Sequence, residues 1–468
     1  METIVIDANN FILGASLNDN SQNGAYSPKS KGINHLYSQG KLYFQPAETD
    51  LSSSLEGNFI ASTPDPTLGG NDAYILDDEG KFYTLNGSTL TKRQTDGAGS
   101  YVFGTADMVN FNGEVFATSA QNVIRLTGTD LSTIDATWWT VTRGHSSLTN
   151  NARHPLLVVE DTMYIADANL LHTWDGTTSV PSALVLPNIW SITAMVKHPN
   201  GRDIIAFCTN TADYSHTRGG RAVAFIINTV TLEFTQEIPI DSQVEGARLV
   251  GGILYVMYGK NLGYFTDSGV VFLRRLEDIA LQGGRLGYKH HLGEMEGHLL
   301  VVEKDNVLAY GDLGAGKVFW YPLNNKQNAG QNIDAIAVIG TGKLIYGTQS
   351  SGGVEKLYKL DYYDNTGNTV STRLYTNRYS FPRKVWVRRI EVQHDTFSAS
   401  GAGLEIYNVL MSGSVEQVGV HSYTLDGGVN ASRYDTNIYT DNLQLYFSWL
   451  NIVQGISKII IYYEPAET

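Results

Sequence analysis

Short apolar stretches of four to six residues, broken by Gly, Asp and Asn, run through most of this chain. The phrase EDTMYIADANLLHTWDG (160–176) is the clearest case. A turn at Glu160 and Asp161 leads into an alternating stretch, Met163 to Ala166. A second turn, Asp167 to Asn169, leads into Leu170 to Trp174, and Asp175-Gly176 closes the unit. Alternating side chains bounded by turn formers predict an antiparallel hairpin. Variants recur as SQGKLYFQ (38–45), DEGKFYTLNG (78–87), FNGEVFATSAQNVIRLTG (111–128), VGGILYVMYGKNLGYFTDSG (250–269), MEGHLLVVEKDNVLAYGD (295–312) and GTGKLIYGTQSSGGVEKLYKLD (340–361).

Taking the turn residue before each Leu/Tyr-rich stretch as an anchor gives Gly40, Gly80, Gly113, Asp161, Gly201, Gly252, Gly297 and Gly342, spaced by 33 to 51 residues. A repeat of that length, with about four short strands in each, is what a β-propeller blade requires. A lone hairpin is marginal in water, whereas blades stacked around an axis bury both faces of each other. Eight anchors bound seven intervals, so seven blades are expected. Six or eight stay open, because the first and last phrases could share one blade at a ring closure.

The rhythm breaks near residue 361. A polar, turn-rich stretch (362–372) reads as a linker, and 373–468 carries longer strands: Lys384 to Asp395, Gly403 to Leu410, Val415 to Tyr423, Asn442 to Trp449 and Gly455 to Tyr463. Ile390, Val392 and His394 alternate there with Arg389, Glu391 and Gln393, a pattern that predicts an antiparallel β-sandwich. Residues 1–35 read as an entry segment, with a short strand (Thr3 to Ile6) ahead of a polar, Gly/Asn/Ser-rich run. The expected architecture is all-β: entry segment 1–35, propeller 36–361, linker 362–372, and sandwich 373–468 as a docking domain.

Composition narrows the chemistry. Aromatics make up 11% of the 468 residues and charged residues 17%, with 47 Gly and 27 Tyr, which suits short strands and tight turns. The formal net charge of −14 argues against a nucleic-acid partner, which needs an excess of Lys and Arg. No basic n-region followed by an apolar h-region opens the chain, so no signal peptide is expected. No run reaches the roughly 18 apolar residues of a membrane-spanning helix, and no membrane insertion is expected. The single cysteine, Cys208, follows the apolar Ile204 to Phe207 and reads as a packed small hydrophobe.

Each candidate site has a plainer reading beside it. His290 and His291, with His298 beyond, would point to opposite faces of a strand, and neither Cys nor a close carboxylate pattern completes a metal site. Asp361, Asp364, Asn365 and Asn368 lack the spacing and closing Glu of a calcium loop. Gly311 to Lys317 lacks the Ser or Thr of a phosphate loop. Gly144-His145 with Trp174-Asp175 imitates the WD-repeat signature, and Gly251 to Val256 a kelch strand, each in a single copy. The expectation is a protein without catalytic site, cofactor or metal.

One cluster departs from the acidic average. Arg373, Arg378, Arg383, Lys384, Arg388 and Arg389 place six basic residues in seventeen, with Tyr375, Tyr379, Phe381 and Trp386 between them. Two readings stand: a solvated strand face balanced by neighbouring acids, and a docking surface of Arg373, Arg378, Arg383, Lys384, Trp386, Arg388 and Arg389 for an acidic partner.

Three segments resemble a family of tailed-bacteriophage virion proteins, the minor structural or tail proteins. They are Thr376 to Val392, Ser400 to Tyr407 and Ile456 to Pro465. The upstream His154-Pro155 and Tyr164-Ile165-Ala166-Asp167 are similar to the family's propeller phrases. The resemblance implies a multi-copy tail or tail-connector protein of nozzle or tip type, made in the host cytoplasm and residing in the virion tail. It would be a homo-oligomer docked on other tail or connector proteins, with a host-surface glycan as a further partner. Trp138, Trp139 and Trp190 are the aromatics offered for such a glycan, if exposed. The competing readings are a stand-alone glycan-binding or glycan-cleaving propeller and a cellular interaction scaffold.

Overall fold

The structure is a computed structural model. It describes residues 1–7, 33–34, 43–44, 48–51, 55–64, 72–95, 106–128, 131–150, 152–210, 221–276, 289–303, 306–312, 318–323, 332–349, 355–361, 372–376, 379–394, 403–412, 415–424, 429–449 and 456–466.

The fold is all-β: the described residues form seven four-stranded antiparallel blades and two further four-stranded sheets. Six blades are built from consecutive strands, spanning 59–95, 108–135, 156–185, 190–240, 244–275 and 292–322. The seventh combines Asn332–Gly340, Lys343–Gln349 and Glu355–Asp361 with Thr49–Asp50, a strand that precedes the first blade in sequence. The first strand of each blade packs beside the first strand of the next, and that of the seventh packs against Phe59–Pro64 of the first. Those adjacencies close a ring. By its contacts the chain divides into two units: 49–305 with 328–359, and 1–48 with 306–327 and 360–468.

The recurrent phrase works through its turn. Asn112-Gly113 (φ 51° and 79°), Gly251-Gly252 (56° and 83°) and Glu296-Gly297 (52° and 77°) each have positive φ at both positions. That is the two-residue type I′ turn, whose twist matches the strands it joins. The expected alternation fails in the strands that follow. Met163, Tyr164, Ile165 and Ala166 are all buried, as are Ala73 to Asp77. A neighbouring blade covers each face, so these strands read as continuous apolar runs rather than as half-exposed ones. The core is accordingly a series of seams between blades. Ile60, Tyr74 and Leu76 pack with Val115, Ala117 and Leu126 between the first and second blades. Phe207, Ala224 and Ile226 pack with Leu254 and Val256 between the fourth and fifth. Leu51, Phe59 and Ile75 meet Ala335, Ile345 and Leu357 where the ring closes. Outer strands such as Ser179–Val185 and Glu233–Ile240 are largely exposed.

The anchors fall into place with one correction. Gly113, Asp161, Gly201, Gly252, Gly297 and Gly342 precede the second strands of blades two to seven, and Gly80 precedes the third strand of blade one. Gly40 lies outside the described residues, and the strand after it, Tyr43–Phe44, pairs with Ile33–Asn34 in a separate two-stranded sheet. Seven anchors thus mark seven blades one apiece, and Thr49–Asp50, rather than the first phrase, closes the ring.

In the other unit, one sheet runs in the order Glu2–Asp7, Ile456–Pro465, Tyr379–His394, Ala431–Leu443, and a second in the order Thr372–Tyr375, Tyr446–Trp449, Gly403–Ser412, Val415–Thr424. Together they form the antiparallel sandwich. The strand of the entry segment belongs to it, because Thr3, Val5 and Asp7 pair with Tyr462, Ile460 and Lys458.

Candidate functional site

The basic cluster is built on the Tyr379–His394 strand. Val385 and Val387 point into the sandwich, and so do Ile390, Val392 and His394, so the inward set changes from one parity to the other between them. The register shifts between Val387 and Arg389 against both neighbouring strands. This irregularity directs both Arg388 and Arg389 outward, which an unbroken period of two could not do.

The outer face is an ordered row of cations and rings. The Lys384 ammonium lies 5.1 Å from the Tyr439 ring centre, Tyr439 packs on Trp386 at 4.9 Å, and the Arg388 guanidinium stands 5.0 Å over Trp386. Arg388 then donates Nε to Glu464 (2.6 Å) and Nη1 to Asn437 (2.7 Å). Arg389 donates to Asp435 (2.9 Å), and Arg433 on the neighbouring strand to Glu391 (3.0 Å). Farther along, Phe381 packs on Tyr463 at 4.9 Å, and a hydrogen bond to Glu2 pushes the Tyr463 phenol above its ordinary pKa. Cation–ring contacts of this kind contribute about 0.5–1 kcal/mol each at exposed sites.

The structure therefore brings part of the predicted set together and disperses the rest. Arg383, Lys384, Trp386, Arg388 and Arg389 share one strand, whereas Arg373 belongs to the other sheet, paired with Ser448. Arg378 lies outside the described residues. Arg388 and Arg389 are balanced by acids on adjacent strands, as the plainer reading expects. Arg383 and Lys384 are exposed, and no carboxylate among the described residues lies within ion-pair distance of either. The exposed cations without an ion-pair partner among the described residues are thus at the Arg383–Lys384 end of the face, with Trp386 and the exposed Tyr439 beside them.

The other candidates resolve differently. Trp138 and Trp139 are buried in a five-residue π-helical turn, with Trp138 edge-on to Trp174 at 5.4 Å, so neither offers a sugar a platform. Trp190 is half-buried against the seam between the third and fourth blades. Cys208 is fully buried there, and burial pushes its thiol well above the usual range. His290 and His291 sit in a 3-10 turn rather than a strand. His291 Nε2 donates to the Asp334 carbonyl at 2.6 Å, and His290 Nε2 lies 3.4 Å from Asp107 Oδ1. His298 Nδ1 is 2.9 Å from the Glu296 carbonyl. Residues 362–371, with Asp364, Asn365 and Asn368, lie outside the described residues, as do 313–317.

A pair that sequence reading passed over is His145 Nε2 with Ser179 Oγ, 2.7 Å apart. The nearby carboxylate, Asp167, faces other imidazoles, with His154 and His172 each at 3.7 Å. His172 Nδ1 accepts from the Ser182 amide at 2.8 Å, so its proton sits on Nε2, toward Asp167. Burial pushes Asp167 up, but hydrogen bonds from His172 and Thr149 outweigh it and hold the carboxyl below its ordinary value. A serine activated by His145 would need an acid to orient that ring, and Asp167 is engaged elsewhere. Among the described residues no cluster of three or more His, Cys, Asp or Glu is arranged to hold a metal ion, and no helix is long and apolar enough to cross a membrane.

No family model matches the chain, and no curated protein matches it. Among solved structures, it is similar to Chaetomium thermophilum Raptor at 11% identity and a TM-score of 0.44, over 68% of this chain and 29% of that one.

Proposed function

We propose that this chain is a structural component of a tailed-phage virion, a multi-copy tail or tail-connector protein that docks on neighbouring tail proteins. The supporting observation is the assembly of the segments that carry the family resemblance. Tyr379–His394 and Ile456–Pro465 lie side by side in one sheet, with Trp386 opposite Glu464, and Gly403–Ser412 belongs to the second sheet of the same sandwich. The docking surface in this reading is the open end of that first sheet, where Arg383 and Lys384, exposed and without an ion-pair partner among the described residues, stand beside the Trp386 and Tyr439 rings. Arg and aromatic side chains are the types that interface cores enrich. Copies repeated around a tail axis would add modest contacts through avidity. Host-surface contact would have to use side chains other than Trp138 and Trp139.

The test is cryo-electron microscopy, with mass spectrometry, of purified particles of the source phage. A seven-bladed ring with an attached sandwich, repeated around the tail axis, is the expected density. Particles that infect and assemble fully without this chain would overturn the reading. Reversing charge at Arg383→Glu with Lys384→Glu is expected to cut incorporation into particles at least tenfold while the purified variant stays folded.

A further inference from the structure

The ring encloses a cavity of about 190 Å³ among the first strands of blades one, two, five, six and seven. Ser62, Val109, Gly293 and Ile336 contribute to its wall, together with two cationic or potentially cationic groups, Arg248 and His290. That volume is well above the roughly 10–15 Å³ a single water needs, and it is enough for one small polyatomic ion.

Arg248 is the unusual member. It comes from the first strand of blade five, Val244–Val250, where its neighbours Val244, Glu245 and Ala247 are buried. Arg248 is exposed, unlike those neighbours, and it lines the cavity. The partial loss of water pulls its pKa below the ordinary arginine value, and the field of Glu294 only partly offsets this. Among the described residues no carboxylate stands within ion-pair distance of it. The contrast is with Arg153, which pairs in full burial with the carboxylate of Glu245, three residues before Arg248 on the same strand, while Gln243 donates to the other oxygen at 3.1 Å. The planar fork of five donors on an exposed guanidinium matches the paired oxygens of a carboxylate or phosphate. His290 adds a second polar group to the wall. Asp107 stands beside it, with Oδ1 3.4 Å from His290 Nε2, and also accepts from the amides of Met108 and Leu156 at 2.8 Å.

We propose that this cavity is a binding site for a small oxyanion, a carboxylate or phosphate group held by Arg248 within the ring. The experiment titrates the full chain with sodium phosphate and, separately, sodium acetate, at constant ionic strength set with chloride, by calorimetry and thermal melting. The expected result is saturable one-to-one binding of at least one anion, weakened at least tenfold in Arg248→Gln. Phosphate binding alone or acetate binding alone tells which oxyanion the site takes. Because no carboxylate among the described residues is within ion-pair distance of Arg248, Arg248→Gln is expected to melt no lower than the parent. If that variant does not fold, Arg248→Lys decides: it keeps the charge but loses the fork, and should bind measurably more weakly. Absence of saturable binding of either anion, or equal binding by the parent and the folded variant, overturns the proposal.

Discussion

At the scale of single residues, the described interior is dense in polar groups whose protonation folding fixes. His291 shows the consequence most directly. Burial, with a further push from neighbouring His290, lowers its pKa from 6.5 to about 4, and the bond to the Asp334 carbonyl opposes this only in part. The folded pKa lies below the unfolded one, so the folded chain stays neutral while the unfolded chain takes up a proton as pH falls. Stability from this residue is complete above about pH 6.5 and is lost as pH falls toward 4, by roughly 3 kcal/mol at most. His154, lowered by its own burial, acts in the same sense. Denaturant unfolding at pH 7 and pH 4.5 should therefore show a stability drop that is smaller in His291→Gln, whose amide can still donate to Asp334. An identical drop in the variant would remove His291 from the account. None of this was legible beforehand: the sequence shows His290-His291 as a pair on opposite faces of a strand, and only the 3-10 turn shows where each ring goes.

At the scale of the element, the hairpin phrase divides its glycines into two kinds. Gly252 has φ 83° in a type I′ turn, and a Cβ there would meet nothing within 4 Å. Gly252→Ala is expected to cost only the backbone penalty, about 1–2 kcal/mol, with the fold kept. Gly263 has no positive φ, but a Cβ there would fall 2.4 Å from the Val271 carbonyl oxygen and 2.6 Å from a Val270 methyl. Gly263→Ala must displace backbone in the Asn261–Thr266 and Gly269–Arg275 pair and should cost more, on the order of 3 kcal/mol. Equal midpoints for the two variants in urea would refute this division. Turn glycines were visible because turn residues carry a positional signal in sequence. Gly263 was not, since its reason lies in Val270 and Val271 across the hairpin, which only the folded pairing brings against it. The strand Ala431–Leu443 was missed for a related reason. Its inward positions are Ser432, Tyr434, Thr436, Ile438 and Thr440, polar or β-branched rather than uniformly apolar, so its period of two carried little hydrophobic contrast. Arg248 was passed over because a charge in a strand reads as solvent-facing until the ring places its first strands around a cavity.

At the scale of the whole molecule, the blade count and the sandwich were legible because a repeat of short strands between turns leaves few other ways to bury both faces. The closure was not, since Thr49–Asp50 is a two-residue strand without a hydrophobic pattern of its own. The opening fifty residues thus supply an edge strand twice: Glu2–Asp7 to the sandwich through Ile456–Pro465, and Thr49–Asp50 to the seventh blade through Tyr358 and Lys359. The second closure is reinforced by the Leu51 amide on the Leu357 carbonyl at 2.8 Å and by Leu51 itself, 2% exposed in the seam between blades seven and one. Lys359 adds a bond to Asp72 of the first blade at 3.0 Å. Leu51→Ala leaves a cavity in that seam and is expected to cost about 2–5 kcal/mol. Removal of residues 2–7 instead strips the partner from the ladder of Ile459, Ile460 and Ile461 and exposes an apolar edge. Hydrogen exchange followed by mass spectrometry separates the two effects. Leu51→Ala should speed exchange in Glu355–Asp361 and leave Ile456–Pro465 as it was, and the shortened chain should do the reverse. Faster exchange in both segments from either change would show that the two closures are not independent.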